Sequence, residues 1–177
     1  MEKGKAHGTP MSPSTSIDLD LSRKDIDEKM YRGIRSLLYL TASRPDIMFS
    51  VCKYASFQST SKDSHLTDGK RFIRDLIETQ DFGLWYPCSS HFDLVGCSDA
   101  NFAGDKNDRI STNGICLILG DALISWHSKK QTLVALSTIE AEYIAVRSCG
   151  TQILWIVHKR LDFDLSFEFA PIMCDST

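Results

Sequence analysis

The chain has 177 residues, 42% of them hydrophobic, with a formal net charge of −3 and a sequence pI of about 5.9. That length and apolar content suit one domain or one and a half with a real core. The weakly acidic balance excludes the overall basic field of many nucleic-acid binders, so contact with phosphates would have to rest on local patches. The six cysteines, Cys52, Cys88, Cys97, Cys116, Cys149 and Cys174, form no C-x-x-C pair, and most sit in apolar runs. They read as buried free thiols of a reducing compartment rather than a disulfide or zinc framework.

Residues 1–24 are rich in Ser, Pro, Gly, Lys and Asp and lack periodicity. They read as a flexible leader or linker. "MEKGKAHGTPMSPSTS" has no apolar core segment, so it is not a secretory signal. No apolar run is long enough to span a bilayer. The expectation is a soluble intracellular chain, cytoplasmic or nuclear, with no membrane partner.

Residues 25–81 look helical. Met30, Ile34, Leu37, Leu38 and Leu40 share one broad face, and Pro45 suits the first turn of a following helix. Leu66, Phe72, Ile73, Leu76 and Ile77 form a further stripe. Such stripes pack helices together.

The period changes near residue 82. "FGLWYP" is a short strand candidate, and "FDLVGCS" a second, ending at Ser98-Asp99. "NGICLILGDALISWHSKK" reads as two strands joined at Gly120-Asp121, a fair hairpin signal. Thr132 to Leu136 is a further short run. Ser137 and Glu140 then have capping-box spacing. A helix is predicted from about Thr138, loosening or breaking near Gly150 and continuing through "TQILWIVHKRL". "FEFAPIMCDST" closes the chain as another strand candidate, ending at Asp175. Residues 82–177 therefore predict a mixed α/β domain with strands before and after one long helical segment.

Two strand candidates each end in an aspartate. If they are parallel neighbours, Asp99 and Asp175 lie side by side at the carboxyl edge, where open α/β sheets place ligands. Glu140 has a capping task, whereas Glu142 points elsewhere and can lean toward the strand ends. Taken singly, an aspartate at a strand end is more often a turn residue than a ligand. Three gathered carboxylates repel one another and call for a hard cation, magnesium or manganese. Two such ions about 3.5–4 Å apart are the usual device for in-line phosphodiester cleavage.

"SDANFAGD…DRISTNG", "ISWHSKKQ…VALSTIEAEYIA" and "CDST" closely resemble the RNase H region of copia-type LTR-retrotransposon Pol polyproteins. "YRGIRSLLYLTASRPDIMFSV" and "GLWYP" resemble the segment joining the reverse transcriptase to that region. The resemblance covers nearly the whole chain from residue 9. It implies an RNase H-like domain over 82–177, preceded by a helical connection segment over 25–81. It implies magnesium- or manganese-dependent cleavage of RNA in an RNA:DNA hybrid, with other Pol segments such as the reverse transcriptase as further partners. Asp99, Glu142 and Asp175 match the family's metal-binding catalytic carboxylates.

Departures temper this expectation. Asn101 stands where the family often has a second Asp, and Ser176 where it often has Asn. Asp75 and Glu78 occupy positions usually basic, aromatic or small. The family's further helix and fourth acidic residue do not follow Thr177. The expectation is a two-metal site left incomplete, with activity weak or lost. The alternative is a non-catalytic retrotransposon remnant that at most binds nucleic acid or another protein. "RGIR" and "RFIR" faintly resemble host-targeting signals of secreted effectors, but the missing secretory segment argues against that reading.

Lys106, Arg109, His127, Lys129 and Lys130 are the candidate nucleic-acid contacts, set in or beside loops. Trp126 and Trp155 are expected in the core. His127 and His158 lack ligand spacing and are expected at the surface, while Cys97 and Cys174 are expected to pack in strands.

Overall fold

The computed structural model describes residues 36–57, 63–88, 91–105, 107–163 and 169–174. The leader over 1–24, the start of the helical segment, Lys106 and Asp175 lie outside the described residues. The chain divides into two compact units that part between Gly83 and Leu84.

The first unit contains 3₁₀ turns at Ser36–Ala42 and Pro45–Ile47, helix α1 at Met48–Ser56 and helix α2 at Asp63–Glu78. Pro45 opens its turn as expected, where a fixed φ and a missing N–H cost nothing. Ser36–Ala42 winds as a 3₁₀ turn and not as part of an α-helix. The amides of Ser43 and Arg44 both close back on the Leu40 carbonyl and end it there. Ile47, Val51, Tyr54, Phe57 and Phe72 form the core, with Leu37, Leu38 and Leu76 packed against it. The apolar stripe of α2 is narrower than its sequence suggests, because Ile77 is half exposed. Arg44 ties the two ends of this unit together. Its guanidinium donates to Asp46 at 2.7 and 2.9 Å and to the Thr79 carbonyl at 2.8 Å.

The second unit is built on a four-stranded sheet of order β3-β2-β1-β4. The strands are β1 at Leu94–Asn101, β2 at Thr112–Leu119, β3 at Ala122–Lys130 and β4 at Ile172–Cys174. β1 and β2 are antiparallel, as are β2 and β3, whereas β1 and β4 run parallel. Gly120-Asp121 makes the β2–β3 hairpin, and Gly120 sits at φ +58°, a conformation that suits glycine.

Three expectations are corrected. Residues 82–87 form no strand, and Trp85 and Tyr86 are exposed. Pro87 lacks an N–H for a ladder. Thr132 to Leu136 form no strand either, and Leu133 and Leu136 stand in solvent. β1 does not stop at Asp99 but continues to Asn101, because its ladder with β2 extends to the Asn101–Thr112 pair.

Helix α3, Thr138–Leu161, runs unbroken through Gly150. A mid-helix glycine costs about 1 kcal/mol against alanine. The buried line Ala141, Ala145, Cys149 and Ile153 holds the helix on the sheet regardless. Leu94, Ile115, Leu117, Cys149 and Ile153 make the core of this unit. Trp155 lies on the outer side of α3, exposed against expectation, and Trp126 is only half-buried.

Strand alternation separates two faces. Leu94, Gly96, Ser98 and Ala100 of β1 lie toward α3, with Ile172 and Cys174 of β4 level with Gly96 and Ser98. Val95, Cys97, Asp99 and Asn101 lie on the opposite face. Gly96 is where strand and helix come closest: a Cβ there would lie 2.7 Å from Cys149 Sγ and 2.8 Å from Ile153 Cδ1. Gly114, by contrast, has nothing within 4 Å of the position its Cβ would take. Among the described residues, no helix is long and apolar enough to cross a membrane.

This packing predicts the behaviour of two glycine substitutions. Gly96→Ala is expected to destabilise the protein by about 1–3 kcal/mol, because core overpacking forces the helix off the sheet. Gly114→Ala should stay within about 0.5 kcal/mol of wild type. Urea denaturation of both variants checks this; equal midpoints would contradict the packing.

Candidate metal centre and its surroundings

Asp99 occupies β1, three residues before the chain leaves the sheet into its following loop, and is exposed. Across the ladder it faces Gly114, which faces Ser128 in turn. Glycine beside Asp99 leaves open space on that face.

Glu142 comes from the second turn of α3. Ser137 starts that helix with an extended backbone, and its hydroxyl accepts from the Glu140 amide at 3.1 Å. The reciprocal half of the capping box is displaced by one residue: Glu140 Oε2 accepts from the Leu136 amide at 2.7 Å. Gln131 then fixes the helix start against the sheet. Its Nε2 donates to Asn113 Oδ1 at 2.6 Å and to the Ala141 carbonyl at 2.9 Å.

So placed, Glu142 reaches β1. Its Oε1 accepts from the Ala100 amide at 3.1 Å, the peptide that joins Asp99 to Ala100. The Gly96 amide donates to the Pro171 carbonyl at the β4 edge. By alternation the Ala100 amide points to that same edge, beyond the last described pair, Ser98 with Cys174. The Glu142 carboxylate thus takes the hydrogen bond that a longer β4 would have claimed. Its other oxygen, Oε2, is buried with no hydrogen-bond partner. Burying a carboxylate oxygen unpaired costs about 1–3 kcal/mol or more. A hard cation at this spot would relieve that cost, so the donor chemistry fits a divalent metal. Asp175 follows Cys174 in the chain but lies outside the described residues. Among the described residues, no group of three or more His, Cys, Asp or Glu is placed to hold a metal.

The four described basic candidates do not form one patch. Lys106 lies outside the described residues. Arg109 is exposed, with φ +58°. Lys129 is exposed on the α3 side of β3, and Lys130 lies on the other side. Lys130 is already engaged, its Nζ 2.5 Å from Asp105 Oδ2 and 2.6 Å from Asp108 Oδ2. His127 is half-buried, not a surface residue. Burial, then Lys129, holds its imidazole below the ordinary value, which disfavours its charged form. Cys174 is exposed although it sits in β4. The residues that sequence reasoning missed are the Ala100 amide, which has no sequence signal at all, and Gln131 and Gly114, whose roles depend on neighbours far along the chain.

Comparison with known proteins follows this geometry. The chain is 38% identical over 170 residues to the "Retrovirus-related Pol polyprotein from transposon RE1" of Arabidopsis thaliana, covering 95% of this chain and 12% of that protein. It is 30% identical over 184 residues to the corresponding polyprotein of transposon TNT 1-94 from Nicotiana tabacum, covering 99% of this chain and 14% of that protein. It is also 37% identical over 125 residues to the "Secreted RxLR effector protein 161" of Plasmopara viticola, covering 70% of this chain and 88% of that protein. No family model and no solved structure matches. A four-stranded mixed sheet with a helix on one face is consistent with an RNase H-like α+β fold. The chain belongs to the family of copia-type LTR-retrotransposon Pol polyproteins, as a Pol segment. It spans 12% of the length of the RE1 polyprotein.

The Lys130 clamp carries a pH signature. Burial pushes the Asp105 carboxyl up, but hydrogen bonds from Lys130 and Asn107 outweigh it and leave it below the ordinary value. Burial opposes the Lys130 charge, yet its bonds to Asp105 and Asp108 raise it above the ordinary value. The Asp105 contribution to stability is therefore present above the ordinary aspartate range and lost as pH falls through the lowered value. The Lys130 contribution is present below the ordinary lysine range and lost as pH rises through the raised value. Lys130→Met should flatten both limbs of a stability-against-pH curve measured by urea denaturation; unchanged limbs would exclude the clamp as their source.

Proposed function

We propose that the second unit is an RNase H-type nuclease module that cuts the RNA strand of an RNA:DNA hybrid with magnesium or manganese. The observation that carries this reading is Glu142, anchored through Oε1 to the Ala100 amide while Oε2 stays buried and unpaired. Glu142 would hold the metal at the end of β1, with Asp99, which alternation places on the other face of the sheet, and Asp175 as the further ligands that the family resemblance implies. The metal, when bound, would supply an activated water and charge stabilisation at the leaving oxygen. The chain's own residues have simpler tasks. The Ala100 amide holds Glu142 in place, and Gln131 sets the height of α3 over the sheet. Gly114 keeps the surface beside Asp99 clear for a bulky duplex. Arg109 and Lys129 are the exposed cations available to backbone phosphates.

A second reading has one observation in its favour. The effector relative is matched over 88% of its own length, so a related segment forms most of a separate protein. In that reading the chain is a non-catalytic Pol-derived module that binds nucleic acid or protein.

Cleavage of a labelled RNA:DNA hybrid by the purified chain in manganese or magnesium separates the two. On the nuclease reading, Asp99→Asn and Glu142→Gln each abolish cutting. Magnesium should also raise the melting temperature of wild type but not of Glu142→Gln, because a ligand that binds the native state stabilises it. Gly114→Leu should weaken hybrid binding while leaving the melting temperature and its magnesium response intact. No cutting and no metal-dependent shift in wild type would overturn the nuclease reading in favour of the second.

A further inference from the structure

The face of the sheet opposite α3 carries a row of sulfur atoms that the nuclease reading does not use. Cys97 of β1 pairs directly with Cys116 of β2, and Met173 of β4 stands level with Cys97 on its other side. All three therefore project to the same face at one level of the sheet. Cys116 stands directly across the ladder from Cys97, and burial, then Cys97, pushes its thiol up to about 11. Both cysteines are free and part-exposed, and Met173 is largely exposed. Trp126 of β3 faces Cys116 and closes the row at its far end.

The register decides what this pair can do. Gly120 donates to the Asp93 carbonyl, which makes the odd-numbered positions of β1 the hydrogen-bonded pairs of this ladder. Such pairs hold their Cα atoms about 5.5 Å apart, the wider of the two antiparallel spacings. Their Cβ atoms sit near the upper end of the range of about 4.5–5.5 Å for facing residues. A disulfide here would have to draw the Cβ atoms to about 3.8 Å. Two metal–sulfur bonds of about 2.3 Å each suit a pair at the wider spacing. Two thiolates and a thioether form a soft donor set, which selects copper(I) over magnesium or calcium.

We propose that Cys97, Cys116 and Met173 form a binding site for a soft monovalent cation, copper(I), on the sheet face opposite α3. The two cysteines bind as thiolates and release two protons to solvent, and the Met173 thioether completes the coordination with no change in the oxidation state of the metal. The site shares its face with Asp99 but uses neither Asp99 nor Glu142 as a ligand, so it does not depend on the nuclease reading.

The test is competition for copper(I) held as its bicinchoninate complex under nitrogen, followed by loss of the chelate colour. Wild type is expected to withdraw one copper per chain that Cys97→Ser and Cys116→Ser do not. Cys88→Ser, which removes an exposed thiol outside the row, should withdraw as much as wild type. Met173→Leu should weaken the competition without abolishing it. Copper(I) should also change Trp126 fluorescence, an effect lost in Trp126→Phe and in Cys116→Ser. Circular dichroism of the metal-free variants confirms that serine, close to cysteine in size, leaves the fold in place. Equal copper uptake by wild type and Cys97→Ser, or uptake lost equally in Cys88→Ser, overturns the proposal. So does a wild-type chain that withdraws no copper, or one that holds a Cys97–Cys116 disulfide in place of the metal.

Discussion

Gly96 lets α3 lie directly on β1, and most of the second unit depends on that close approach. Any side chain at this position would meet Cys149 and Ile153. Because the helix comes so near, its buried line of small and medium residues can seal one face of the sheet. The same approach brings the second turn of α3 within reach of the end of β1, where a glutamate can bond a backbone amide. Site geometry and core packing are therefore one constraint: a helix lifted by a methyl group would also lift Glu142.

Around this contact the fold sets the Glu142 carboxylate on the α3 side and a row of sulfur on the opposite face, which Asp99 shares. The end of the β1–β4 edge collects carboxylate oxygen, and one of those oxygens is buried without a partner. The opposite face collects sulfur along a single row. Strand alternation puts Ser98 on the α3 side and Asp99 on the sulfur side, so the separation rests on Glu142, which comes from α3. A hard and a soft donor set can thus lie within one short stretch of strand without sharing a ligand. The Lys130 clamp adds a third feature, a lysine that spans from β3 to the loop after β1 and closes that loop on two aspartates. That engagement takes from the surface one cation that a nucleic acid could otherwise have met.

The sequence was most legible where local chemistry decides structure. Pro45 opens a turn, Gly120-Asp121 closes a hairpin and Ser137 caps a helix, each through interactions among a few adjacent residues. The parallel pairing of the strands before Asp99 and Asp175 was also readable as a hypothesis, and β1 and β4 do run parallel. Local signals failed where partners were needed. "FGLWYP" and Thr132 to Leu136 have strand-like composition, yet neither joins a ladder. Gly150 looked like a break, but the packed face of α3 outweighs its propensity cost of about 1 kcal/mol.

By itself the sequence determined the family, the α/β class of the second unit and the residue types on offer: carboxylates at Asp99 and Glu142, thiols at Cys97 and Cys116, and bases along β3. Tertiary structure alone decided which of these meet. It set Glu142 on the Ala100 amide, 42 residues away in the chain, and half-buried His127, which disfavours the charged form of its ring. It also put Cys97 opposite Cys116 and level with Met173. The reason is physical. Residue type and local spacing encode turns, caps and periodicity, whereas register and close approach are settled only when distant segments compete for the same buried surface and the same hydrogen bonds.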